Sequence, residues 1–379
     1  MKTILVIGGS YAGLTVAHKL LKQTLPTVKG GFRVMLLSQS THLYWNMAAP
    51  RAVIRGLIPD DHLFQPIAPA FAKYPQGSFE FVEGTAKQLD EEKHAVIVDS
   101  PTGAKTINYD IAVIATGSSA APDTPFKYAE SYQKTLDGLH EFQEKVHRAT
   151  TIVVGGAGPT GVETAAELGD EYTSKGKKIT LITNGDRSMP FLRKDVGNFA
   201  DKELEKLGVA MKRNVTVEST KPAGTQTEIQ LSDGSTLTAD LYISTVGVKA
   251  NSAFVDPRLL DSEGNVQVDE YLRVKGATDL WAAGDVVNIQ RKQIKFTEDQ
   301  AIHLSGNLDA ILKDNEPKIY KQNNMLFVAA ALGKNRGTGI AGYFKLLSVM
   351  VWYLKGRTYG TDKIQGLVNG KRLVVNSSM

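Results

Sequence analysis

Residues 4–7 are all apolar and lead directly into Gly8-Gly-Ser-Tyr-Ala-Gly13, after which apolar positions recur at helical spacing over residues 14–25. A short unbroken apolar run that ends in glycine fits a strand buried on both faces of a parallel sheet. The same succession returns in the middle of the chain. An apolar strand over 151–154 meets Gly155-Gly-Ala-Gly-Pro-Thr-Gly161, a helical pattern runs on to Tyr172, and a new strand covers 178–182. Between the two copies lie a strand at 32–37, short helices interrupted by Pro66 and Pro69 over 60–74, and an alternating region over 79–98. Ser100-Pro-Thr-Gly103 reads there as the turn between hairpin arms. A further apolar strand, 109–115, ends in Ala115-Thr-Gly-Ser118, and a polar-faced helix covers 136–147. Beyond the second copy the pattern predicts a helix at 193–207 and a hairpin about Asp233-Gly234. It then predicts strands at 240–246 and 280–283 and a helix at 297–312. The last sixty residues change character, with a β-like stretch at 325–332 and ten apolar residues among the twelve of 343–354.

Strands that alternate with helices, each strand leaving through glycine, define an α/β chain with parallel sheets. The expected architecture is two Rossmann-like dinucleotide-binding domains, the second inserted in the first, plus a small C-terminal α+β region. The expected boundaries are 1–120 with 248–318 for the first domain, 121–247 for the inserted one and 319–379 for the C-terminal region.

Buried strand, tight turn and helix start together make a diphosphate site, because free backbone N–H groups and the helix dipole both favour an anion. In the first copy Gly8, Gly9, Ser10, Ala12 and Gly13 are the candidates. Ser10 departs from the glycine pattern at the position where backbone approaches the pyrophosphate. After the second strand, where an acid usually holds ribose hydroxyls, Ser38 and neutral neighbours stand instead. Asn46 and Arg51 belong to Tyr44-Trp-Asn-Met-Ala-Ala-Pro-Arg51, a segment of aromatic and small residues suited to lie against a ring system, or to start a packed helix. Ala115, Thr116 and Gly117 form a strand exit, and Gly284 with Asp285 forms another beside the helix at 297–312. The second copy carries the full glycine fingerprint at Gly156, Gly158 and Gly161, with Thr160 inside it and Gly247 closing the strand at 240–246. At the end of its next strand stands Asn184, not an acid, with Arg187 nearby. That pair does not repel a 2′-phosphate, so NADPH is expected beside NADH.

A length of 379 residues suffices for two or three cored domains, and 42% apolar and 22% charged residues are ordinary for a soluble chain. Net charge of +4, without a block of like charge, gives no footprint for nucleic acid. The absence of cysteine excludes disulfides, thiolate metal sites and cysteine nucleophiles, and no metal is expected. Residues 1–59 hold seven Lys or Arg and no Asp or Glu, as a transit peptide would, yet they already read as strand, turn and helix. A cytoplasmic address is therefore expected. The stretch 343–354 is too short to span a bilayer. It is expected to pack on the first domain, to line a ligand pocket with Trp352 or Tyr353 facing it, or to touch another subunit or a membrane surface.

The order of Gly8-Gly-Ser-Tyr-Ala-Gly13, Ala115-Thr-Gly117, Gly156-Ala-Gly-Pro-Thr-Gly-Val-Glu163 and Ala283-Gly-Asp285 resembles flavoproteins with two dinucleotide domains. Asn46-Met-Ala-Ala-Pro-Arg51 and Leu332-Gly-Lys-Asn-Arg-Gly-Thr-Gly-Ile-Ala-Gly342 look like the apoptosis-inducing-factor-like branch, near ferroptosis suppressor proteins and type II NADH dehydrogenases. The resemblance implies FAD in the first domain and NAD(P)H in the second, with hydride passing between them. It implies that Glu163 lies where nicotinamide meets flavin, and that Lys295 and Gln300 sit on a flavin-side helix. It further implies a quinone-like small-molecule acceptor, with peripheral membrane contact and a monomer or homodimer as open possibilities. The alternative is a dinucleotide-sensing flavoprotein that acts through a protein partner.

Overall fold

The computed structural model describes residues 1–371. Its first sheet has the strand order Leu280–Ala282, Ile111–Ile114, Lys2–Ile7, Phe32–Ser38, Phe79–Glu83, all parallel. Lys2–Ile7 lies at the centre, with Ile4 beside Val34 on one edge and Ile111 on the other. Where a strand is flanked on both edges and covered on both faces it is apolar, and Ile4, Leu5 and Val6 are wholly buried. The strand Leu280–Ala282 arrives from beyond the second domain, so the first domain is completed only after the insertion.

The second sheet, also parallel, runs Val209–Lys212, Lys178–Ile182, Thr151–Gly155, Leu241–Ser244. A three-stranded antiparallel sheet, Val217–Ala223, Gln226–Leu231 and Thr236–Ala239, closes one side. Its Ile229, Leu231 and Ala239 share a small separate core with Val153 and Ile182. The chain enters and leaves this domain at one place, where Ser118–Ser119 pairs antiparallel with Lys249–Ala250. The C-terminal region adds the antiparallel strands Phe327–Leu332, Arg336–Ala341 and Phe344–Lys345.

Three differences from the sequence reading have physical causes. The helix expected over 14–25 is regular only over Tyr11–Lys19; it widens at Leu20–Thr24 and tightens at Leu25–Thr27, where Pro26 supplies no N–H. Residues 125–128, expected in the second domain, contact the first at Tyr44, Asn46, Asp285 and His42, and the helix Tyr132–Arg148 that follows still meets it, with Tyr132 stacked on His42 and Gln143 donating to the Ala52 carbonyl. The stretch 343–354 does not pack on the first domain as one helix. It divides into Phe344–Lys345, a single turn Ser348–Val351 and a wider turn Trp352–Gly356. Val351 alone of its large side chains is fully buried, wedged against the backbone of Gly337, while Tyr343 is 88% exposed, Phe344 79% and Leu347 66%. The indole of Trp352 is partly buried and donates to the Lys334 carbonyl at 2.8 Å.

Candidate active site

Both glycine turns are built alike. Gly8 and Gly156 take φ of +122° and +107°, conformations that side chains resist. A Cβ on Gly13 would lie 1.8 Å from the Gly8 carbonyl oxygen, and one on Gly161 would lie 1.8 Å from that of Gly156. Each helix therefore starts in direct contact with its own turn. The helices Tyr11–Lys19 and Pro159–Tyr172 begin at Ser10 and Gly158 in extended conformation, and no side chain caps either one. Their first N–H groups remain available to an anion.

The first turn gathers the residues singled out in the sequence. A Cβ on Gly8 would meet the Ala115 carbonyl oxygen at 2.3 Å, and one on Gly284 would meet the Ala12 methyl at 3.3 Å. Strand exits at 115–117 and 284–285 thus border the turn itself. Thr116 hydrogen-bonds through Oγ1 to the Asn251 carbonyl at 2.6 Å, and Gly117 takes a positive φ that turns the chain toward the crossing ribbon. Gln300 accepts from the Gly284 N–H at 2.8 Å, which fixes that exit to the helix Ile294–Ile311. Asp285 accepts from Lys127 Nζ at 2.9 Å and from the Ser118 hydroxyl at 3.1 Å. Burial acts to raise its carboxyl, but the Lys127 ammonium and these hydrogen bonds hold it below the ordinary value. Gly9 leaves room for Ser38, whose hydroxyl would stand 2.6 Å from a Cβ there. That hydroxyl donates to the Ser40 carbonyl at 2.7 Å. Asn46 accepts from the Tyr11 hydroxyl at 2.9 Å and donates to the Phe126 carbonyl at 2.9 Å.

Two cations expected at nucleotides are engaged elsewhere. Lys295 pairs with Asp299 at 2.7 Å, one turn along its own helix. Arg187 donates to Asp186 and to the carbonyls of Pro190 and Leu192, closing its own loop, so it is not poised toward a 2′-phosphate. Asn184 stands exposed at the strand end. In the second turn a Cβ on Gly156 would meet Val246 at 2.4 Å, which puts the exit at Val246 and Gly247 beside it. The Thr160 carbonyl accepts from the Thr164 hydroxyl at 2.8 Å inside the helix.

Arg51 was expected beside a ring system; instead its guanidinium spans the three regions of the chain. Nε and Nη2 each donate to Glu167 at 2.8 Å, and Nη1 donates to the Arg357 carbonyl at 3.3 Å. The Tyr359 hydroxyl donates to the same carboxylate at 3.1 Å, and the Trp45 indole donates to the Tyr359 carbonyl at 2.9 Å. A buried carboxylate with a bidentate arginine and a phenol has its charge matched and its lone pairs filled.

One helical turn before Glu167 lies Glu163, also buried. It accepts from the Ala331 N–H at 2.9 Å and pairs with Lys355 Nζ at 2.6 Å. Burial raises its carboxyl above the ordinary value of 4.5, although Lys355 and the Ala331 N–H pull the other way. A raised carboxyl paired with an ammonium, at the start of a nucleotide-binding helix, is a candidate for proton exchange. Lys355, Glu167, Tyr359 and Lys127 all escape a reading of the sequence. None sits in a spaced motif, and each acquires meaning only through a partner far along the chain.

Residues 2–303 match the pyridine nucleotide-disulphide oxidoreductase family, and the chain belongs to it. It is 42% identical over 375 residues to Oxidoreductase ptaL of Pestalotiopsis fici, covering 98% of this chain and all of that one. It is 24% identical over 374 residues to human Ferroptosis suppressor protein 1, covering 93% and 92% of the two chains. The fold is shared with the sulfide:quinone oxidoreductase of Aquifex aeolicus at a TM-score of 0.78 and 18% identity, over 97% of this chain and 92% of that one. The chain is thus an oxidoreductase of this family that binds FAD and NAD(P)H, and it is similar, at 27% identity over 98% of its length, to Apoptosis-inducing factor homolog B of Dictyostelium discoideum. The residues present fit both groups: each turn offers uncapped helix N–H groups in a cradle that a single Cβ would fill. With no cysteine, the chain lacks the disulfide of the family's name.

Proposed function

We propose that this flavoprotein uses NAD(P)H to reduce a quinone-like acceptor, in the balance NAD(P)H + H⁺ + quinone → NAD(P)⁺ + hydroquinone. Bound FAD supplies the two-electron relay between the substrates. The carrying observation is that the exposed apolar stretch 343–354 runs directly into Lys355, whose ammonium meets buried Glu163. A lipophilic acceptor can follow apolar surface to a pair able to release the proton that the balance requires. The sulfide:quinone oxidoreductase named above acts on a quinone, and its likeness in fold supports the same acceptor class here. Contiguous exposed apolar surface on a monomer marks a binding face. We propose that this one rests on a membrane surface from which the acceptor enters, since no helix among the described residues is long and apolar enough to cross a membrane.

Steady-state NADH consumption with a long-tailed quinone and with ferricyanide tests the reading. The quinone should be turned over, and the triple replacement Leu347→Ser, Val349→Ser, Tyr353→Ser should raise its KM at least tenfold while sparing ferricyanide. A wild-type protein that reduces ferricyanide and no quinone would overturn the acceptor class.

A further inference from the structure

We propose that the linker into the second domain is a wall of the flavin site, and that Lys127 is a positioning residue that holds Asp285 for the cofactor. The inference rests on FAD occupying the first turn and is independent of the acceptor.

Four consecutive linker residues meet the parts of the first domain that border the glycine turn. The Pro125 carbonyl accepts from Tyr44 Oη at 2.7 Å and the Phe126 carbonyl accepts from Asn46 at 2.9 Å. Lys127 pairs with Asp285 at 2.9 Å. The Tyr128 hydroxyl accepts from the Tyr44 N–H, donates to the His42 carbonyl at 3.2 Å and reaches Ser10 at the helix start. Pro125 and Phe126 are buried, so the stretch is packed in place rather than draped over the surface.

The two oxygens of Asp285 are unequally engaged. Oδ2 is taken by Lys127 and Ser118, whereas among the described residues Oδ1 has only the Thr297 hydroxyl, at 3.4 Å. An acceptor fixed on one side and open on the other suits a hydroxyl donor such as a ribityl chain. A carboxylate beside a diphosphate site also needs a cation, because two anions in a partly desolvated cleft repel. Lys127 supplies that cation, and Lys292 adds to the field on the same carboxylate. The linker leads without a break into the helix Tyr132–Arg148, so the contacts that hold the flavin also tether the second domain.

Flavin release from the diluted holoenzyme, followed by the rise in free-FAD fluorescence, reads this out without turnover. Lys127→Met should release FAD at least tenfold faster than wild type, and Lys127→Arg within about threefold of wild type. Gln143→Ala removes the donor to the Ala52 carbonyl and loosens the same joint away from the turn, and it should leave release within twofold. Tyr128→Phe removes one hydroxyl and should speed release about threefold, which carries the test if Lys127→Met does not accumulate. Release from Lys127→Met within twofold of wild type, or equal acceleration by Gln143→Ala, would overturn the proposal and leave the ion pair as a strut between domains. A wild-type protein that binds no FAD would instead remove the reading on which the proposal rests.

Discussion

At Gly13 and Gly161 the chain meets the same steric wall, a carbonyl oxygen 1.8 Å from where a Cβ would stand. At the middle position of the two turns the copies part: Ser10 stands in the first and Gly158 in the second. A Cβ on Gly158 would touch no protein atom within 4 Å. The third glycine is therefore demanded by the protein's own backbone, and the middle one only by what binds. The first turn can carry serine there without strain. Two residues beyond the third glycine the copies part again. Thr15 turns its hydroxyl back to the Tyr11 carbonyl at 2.8 Å, while Glu163 reaches out of its domain to Lys355. Geometry is conserved between the copies where backbone meets backbone, and chemistry is assigned at the positions that geometry leaves free.

The largest effect should come from the shared wall. Gly13→Ala should cost ~3 kcal/mol or more and yield little folded, flavin-containing protein, read from the ratio of flavin to protein absorbance and from Tm. Gly161→Ala should leave the protein yellow while the KM for NADH rises at least a hundredfold. Equal flavin retention in both variants would break the comparison.

Glu163→Gln comes next, with kcat for the quinone falling about a hundredfold or more and the fall of rate with rising pH, as the raised carboxyl loses its proton, abolished. The stability effect has a definite sign. Glu163 is raised in the folded state, so its contribution is fully present below the ordinary carboxylate value and is lost as pH climbs through the raised one. The glutamine variant lacks that loss. The difference in Tm between variant and wild type should move in the variant's favour from pH 4.5 to 8, and a difference flat with pH would remove the raised carboxyl from the account.

Gly158→Ser tests the middle position. Tm should stay within about 2 °C, as expected of a site away from packed or strained features, and KM for NADH should rise by no more than about tenfold. A large fall in Tm would show that the two turns are less alike than their sterics say. The smallest effect belongs to Asn184→Glu, which should favour NADH over NADPH by about tenfold, roughly 1.4 kcal/mol, in the ratio of kcat/KM. No change would place the 2′-position away from this strand end.

The glycine turns were legible in the sequence because strand, turn and helix there are contiguous and each glycine has a local reason. The insertion was legible as well, since Asp285 follows a strand that only the first sheet lacks. The Arg51–Glu167–Tyr359 cluster was not, because its members are separated by 116 and 192 residues and no local pattern links them. Arg51 read as a flavin neighbour because its own segment is aromatic and small. Its partners are decided by the packing of three regions. The stretch 343–354 shows the opposite failure. Its apolar pattern was plain, but a pattern states only that side chains seek cover. At Tyr343 and Phe344 the fold supplies none.

The pairing of Ser118–Ser119 with Lys249–Ala250 also bears on how such chains are assembled and rearranged. Entry and exit of the inserted domain are hydrogen-bonded neighbours, so the block between them has both ends at one seam. Such a block can be exchanged for its counterpart from a relative as a single cassette, with two short strands to match at the junction. The constraint on that exchange lies at Lys127, which pairs with Asp285, and at Glu163 and Glu167, which travel with the cassette while Asp285, Arg51, Lys355 and Tyr359 stay behind. A donor domain that brings a cation at 127 and carboxylates at 163 and 167 should graft, and one that brings neutral residues at 163 and 167 would leave buried Arg51 and half-buried Lys355 without their carboxylates.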